Sequence, residues 1–115
     1  MEHTIALRRV WPLVVEDNTP TKILRFIHPL KQEAVATLIE HTERLFPDVR
    51  MIAAFGSAVK GNCTQESDVD IVVVGGAKFY TPATDVYDIV RVAGMSASSP
   101  IVQSILKEGV VIYGS

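Results

Sequence analysis

The chain has 115 residues, 48% of them hydrophobic and 21% charged, which fits one domain with a real core and excludes disordered and low-complexity classes. Eleven basic and thirteen acidic residues leave a formal net charge of −2, so there is no global electrostatic footprint for nucleic acid. A single cysteine, Cys63, excludes an internal disulfide and any multi-cysteine metal site, and fits a reducing compartment.

Residues 1–28 read as an N-terminal segment distinct from the rest. Two β-leaning runs, Thr4–Val10 and Lys22–His28, flank a turn-rich stretch from Glu16 to Pro20, which predicts a β-hairpin or an extended arm. Pro12 denies a backbone donor and favours an edge strand or a bend. The apolar stretch Val10–Val15 is broken by Pro12 and followed by Glu16 and Asp17, unlike the core of a secretion signal. No run approaches the length of a membrane span, so a soluble cytoplasmic protein without membrane contact is expected.

The expected main domain covers 29–115. From Pro29 the spacing turns helical: Leu30, Ala34, Val35, Leu38, Ile39, Leu45 and Phe46 form the apolar face. Lys31, Glu33, Glu40, Glu43 and Arg44 form the polar one. Pro47 ends this helix. Met51–Phe55 suits a buried strand, ended by Gly56-Ser57, and residues 57–63 can form a short helical turn. Asn62, Thr64 and Ser67 make a polar loop. Val69–Val74 is rich in β-branched residues and reads as a second buried strand, and Val86–Val92 as a third. Ser98-Ser99-Pro100 suits a helix start with a serine cap. Its apolar face is Ile101, Val102, Ile105 and Leu106, and Gly109 is its stop. Val110–Tyr113 is the last strand. The sum is an α/β (α+β) domain, a small mixed sheet with helices packed on it.

The chemistry concentrates in residues 56–70. A strand leads into Gly56-Ser57, ten residues intervene, and Asp68-Val69-Asp70 opens the next strand. Side chains two apart on a strand share a face, so Asp68 and Asp70 project together. Two such carboxylates repel unless a cation sits between them, and an all-oxygen donor set favours Mg²⁺ or Mn²⁺ held together with substrate phosphates. Glycine lets a phosphate approach the backbone, and the Ser57 hydroxyl adds a donor. Singly, each piece also fits an ordinary strand end, turn or solvated lysine. Together they describe a nucleoside triphosphate site. His3, His28 and His41 share no metal spacing and read as surface residues. Cys63 reads as a small, partly buried side chain. Trp11 and Phe26 fit either an interface or packing onto the helices. Glu66 is expected to face water.

Gly56-Ser57, ten residues, then Asp68-Val69-Asp70 resembles the signature of the nucleotidyltransferase superfamily typified by DNA polymerase β. The length is similar to that of the minimal nucleotidyltransferases, antitoxin partners of HEPN-domain toxins. The resemblance covers residues 30–115, including Ile105–Tyr113 as the family's last helix and strand. It implies the polymerase β-like fold and transfer of a nucleoside monophosphate, AMP from ATP or another NTP, to a hydroxyl. It implies two Mg²⁺ ions, with Mn²⁺ as a substitute, held by Asp68, Asp70 and a third carboxylate on the next strand. Asp88 is the preferred match and Asp85 its competitor. Three positions apart, the two would face opposite sides of a strand. Gly56, Ser57, Lys60 and Ser67 are implied as nucleotide-binding residues. Family members commonly carry arginine directly after Gly-Ser and again two residues later, where this chain has Ala58 and Lys60. A lysine offers a point charge rather than a bidentate fork. The implied acceptor is a separate chain, a HEPN-type toxin, with self-association left open. A non-catalytic antitoxin that masks its partner by contact is the alternative, and a nucleotide or Mg²⁺ sensor a third.

Overall fold

The computed structural model of the chain describes residues 9–15, 21–83, 85–92 and 99–114. The expected run Thr4–Val10, save its last two residues, the turn at 16–20, His3 and Ser98 lie outside them. So do the side chains of Ile101 and Leu106.

Helix α1 spans Thr21–Leu24 and α2 spans Pro29–Leu45. Strand β1 is Val49–Phe55, α3 is Ser57–Lys60 and β2 is Val69–Gly75. Then come β3, Tyr87–Val92, α4, Pro100–Glu108, and β4, Val110–Gly114. The strands form one mixed sheet in the order β3-β2-β1-β4. β1 runs antiparallel to β2 and β4, while β2 and β3 are parallel. The central strands β1 and β2 are buried along nearly their whole length, as their continuous apolar runs require.

One sheet face carries Ile52, Ala54, Val69, Ile71, Val73, Tyr87, Val110 and Ile112 into a core shared with Leu24, Ile27, Val35, Leu38 and Ile39 of the first two helices. Proline sits in the first turn of α2, and His28 caps it: Nδ1 accepts from the Leu30 amide at 3.1 Å. Tyr87 straps β3 to α2, its hydroxyl donating to the Ala34 carbonyl at 2.7 Å.

Several expectations need correction. The run Lys22–His28 is not a strand. Its first residues belong to α1, and Phe26 and Ile27 donate to the carbonyls of Ile23 and Leu24 in a tight turn. Leu24 and Ile27 are fully buried, so the apolar pattern reflects burial on the core rather than strand alternation. Lys31 of the expected polar face of α2 is 6% exposed, while Leu30 and Leu45 of the expected apolar face are exposed. His41 is buried too, its Nε2 2.8 Å from the Tyr80 carbonyl and its ring against Phe46, Phe79 and Tyr80. Ser99 precedes α4 without a side-chain cap bond; its carbonyl accepts from Gln103 instead. Gly109 ends α4 in extended backbone. A Cβ there would press on the carbonyl oxygens of Ala54, at 2.6 Å, and Ile105, at 2.8 Å.

Candidate functional site

β1 ends where its partner β2 begins: Phe55 pairs with Asp70. The chain then turns at Gly56, whose φ of 74° and ψ of −147° lie in a region that essentially only glycine visits. A Cβ at this position would collide with Asp70 Oδ2. The Gly56-Ser57 bend and the Asp70 carboxylate are therefore direct neighbours, brought together by strand pairing. The Gly56 carbonyl accepts from the amides of Val59, at 3.0 Å, and Lys60, at 3.1 Å, forming the single turn of α3. The Ala58 carbonyl takes the His28 amide at 2.7 Å, fixing α3 to the start of α2.

In the parallel pair β2–β3, Asp70 stands opposite Asp88. Val69, Ile71 and Tyr87 point into the core, so both aspartates project from the other face. The pKa of Asp70 is raised above its usual 3.8: burial acts first, then the charge of Asp88, then that of Asp68, then a side-chain hydrogen bond with Asp88. Asp70 and Asp88 are thus the close pair, while Asp68, exposed just ahead of β2, acts on them through its charge. Asp85 lies in the exposed turn before β3.

Ser57 opens α3 and is half-buried. Lys60 projects from its far end, Nζ 3.2 Å from Glu108 Oε1, with both side chains more than half exposed. Ser67 is engaged in the loop: its Oγ accepts from the Thr64 amide at 3.0 Å and lies 3.2 Å from Thr64 Oγ1. Cys63 is buried, its Sγ 3.5 Å from the Thr64 carbonyl. Glu66 faces solvent.

Among the described residues, no three His, Cys, Asp or Glu side chains stand close enough together to hold a metal ion. The donor set nonetheless suits a hard divalent cation. It is all oxygen, and negative charge on Asp88 and Asp68 already disfavours ionisation of Asp70, a penalty that a cation between them would reverse.

Two neighbours of this site carry no signal in the sequence. Lys31 Nζ donates to the Gln65 carbonyl at 3.2 Å, tying α2 to the loop before Asp68. Arg9 lies against the end of α3, where a Cβ on Gly61 would stand 3.1 Å from its Cζ. Neither contact has a local pattern, because each spans tens of residues of chain.

The architecture defined so far is a small α/β domain with a carboxylate pair beside a glycine bend. The profile of the nucleotidyltransferase domain family matches residues 35–93, just over half of the chain, and includes the bend and all three aspartates. The chain belongs to that family. It is also similar to a protein of Sulfolobus solfataricus, provisionally described as a nucleotidyltransferase, whose crystal structure aligns at 17% identity and a TM-score of 0.46 over 88% of this chain and 92% of that one. No curated protein matches the chain. No helix among the described residues is long and apolar enough to cross a membrane.

Proposed function

We propose that the protein transfers a nucleoside monophosphate, AMP from ATP, to a hydroxyl, and that its acceptor is a separate chain, a HEPN-type toxin for which it acts as antitoxin. The observation that carries the transferase reading is the packing of Asp70 against both Asp88 and Gly56. Acidic groups and the glycine-serine bend share one small space. The family supports nucleotidyl transfer in general. ATP, the antitoxin role and the partner rest on resemblance in size and motif to the minimal members of the superfamily.

Asp68, Asp70 and Asp88 would hold Mg²⁺, which supplies charge for the triphosphate and acidifies the attacking hydroxyl. Gly56 lets the phosphates lie against the backbone, and the Ser57 hydroxyl donates to them. Lys60 leaves its exposed pairing with Glu108 to add a charge. Such surface pairs are worth only about 0–1 kcal/mol. The acceptor oxygen forms a bond to the α-phosphorus, the bond to the bridging oxygen breaks, and pyrophosphate leaves. Asp88, the more exposed of the close pair, takes the hydroxyl proton. Positioning and charge neutralisation carry the rate. Ser67 serves by shaping the loop that presents Asp68.

The test is incubation of the protein with α-labelled ATP, Mg²⁺ and candidate acceptor chains. Label appearing on the acceptor with release of pyrophosphate supports the reading. No transfer with any divalent cation contradicts it. A contact-only antitoxin is the second reading. It is favoured by a groove lined by Val14, Val15, Pro29, Leu30 and Glu33, where Val14 is 60% exposed.

A further inference from the structure

We infer that Arg9, carried on the N-terminal segment, is a phosphate-binding residue of this same site, an inference that rests on the nucleotide reading above. The segment is held firmly. Gln32 is fully buried and works as a clamp: its Oε1 accepts from the Val14 amide at 2.8 Å, and its Nε2 donates to the carbonyls of Pro12, at 2.9 Å, and Ile27, at 3.1 Å. The Trp11 amide donates to the Arg25 carbonyl at 2.8 Å, and its ring packs on His28 at 5.5 Å. His28 in turn grips Ala58 of α3. The segment is therefore docked on α2 and the turn before it through Trp11, Pro12 and Val14, and His28 links that turn to α3.

Two residues before Trp11, the Arg9 guanidinium lies over the indole at 5.7 Å and against Gly61. The Gly61 amide donates to the Ser57 carbonyl at 3.3 Å, so the Gly61 backbone that Arg9 packs on lies one helical turn from Ser57. Gly61 has a φ of 101°, and any side chain there would press into the guanidinium.

The charge balance gives Arg9 its role. A triphosphate brings a dense negative charge beside Asp68, Asp70 and Asp88. Of the cations around α3, Lys60 is paired with Glu108 and Lys31 is buried on the Gln65 carbonyl. Arg9 is exposed and meets no carboxylate among the described residues. Its planar fork can engage two phosphate oxygens at once, while the indole face beneath keeps it extended.

The experiment is calorimetric titration of the full chain with ATP, ADP and AMP in Mg²⁺, for the wild type and for Arg9→Gln and Arg9→Lys. The glutamine variant removes the charge and the guanidinium over Trp11, while the lysine variant keeps a charge without the fork. The glutamine variant should bind ATP about tenfold more weakly, ADP less so, and AMP unchanged, with the lysine variant intermediate. The melting temperature should hold. An Arg9→Gln protein that binds ATP like the wild type, or that loses all three nucleotides equally, overturns the inference while leaving the proposed function standing. A wild type that binds none of them overturns that function, and this inference with it.

Discussion

Asp70 stands between two other carboxylates and a glycine that leaves no room for a side chain. Its raised pKa means that the folded state holds the proton more tightly than the unfolded chain does. Stability from this group is therefore present at low pH and is lost as pH rises through the folded-state value. Asp70→Asn should raise the melting temperature at pH 7, and the gap should close as pH falls below the ordinary aspartate value of 3.8. Adding Mg²⁺ should stabilise the wild type and leave the variant unmoved. Thermal melts across pH, with and without the ion, check both parts. A variant less stable than the wild type at neutral pH contradicts the account. Gly56→Ala puts a methyl group against Asp70 Oδ2 in backbone only glycine adopts. It should cost about 1–3 kcal/mol of stability and lower transfer on the order of 100-fold. Equal activity in the two proteins would break the link between bend and carboxylate. At this scale the nearness of Gly56 and Asp70 is legible from their places at the ends of apolar runs, whereas Asp88 enters only as the third carboxylate that the family resemblance implies. Lys31 and His41 are buried against the surface placement of a helical wheel, because segments from elsewhere in the fold cover them.

The elements act as the scaffold that holds these groups in register. Tyr87, the first residue of β3, has its hydroxyl buried and its pKa pushed up to about 12. Tyr87→Phe removes the bond to Ala34 and should cost about 1 kcal/mol, roughly 4–8 °C in melting temperature for a domain near this size. A raised tyrosine pKa contributes stability below pH 10.0 that disappears as pH rises toward 12. The phenylalanine variant should lose that part of the alkaline destabilisation, which a melt series from neutral to alkaline pH would show. Gln32→Leu keeps the volume and strips the clamp from the N-terminal segment, with a cost of about 1–3 kcal/mol. Trypsin should then cut after Arg9 faster while the sheet and α2 stay intact. An unchanged cutting rate would mean that the segment is held by something else. The four strands and the long helix were legible because apolar spacing reports burial. The short α1 was not, since a four-residue helix has too little periodicity to separate from a strand. The docking of residues 9–15 was equally hidden, because it depends on Gln32 reaching across the core surface.

The whole molecule is a single mixed sheet: one face packs on the first two helices, and the other, buried along its centre, carries the acidic pair at the start of β2 and β3. Among the described residues, the segment 9–15 is hydrogen-bonded to Gln32 of α2 and to Arg25. Contact and chemistry can be separated at this scale. Asp68→Asn combined with Asp70→Asn should leave partner binding intact and abolish neutralisation of a toxin in cells, if neutralisation proceeds by transfer. Full protection by the double variant would favour the contact-only reading. The family match accounts for residues 35–93, and the docked segment lies outside it. The most direct test of the site is diffraction from crystals soaked with ATP and Mn²⁺. Anomalous Mn²⁺ density is expected on the carboxylates of Asp70 and Asp88, with Asp68 turned toward it and the phosphates against Gly56 and Ser57. Nucleotide bound on another face, or manganese away from these aspartates, would contradict that placement.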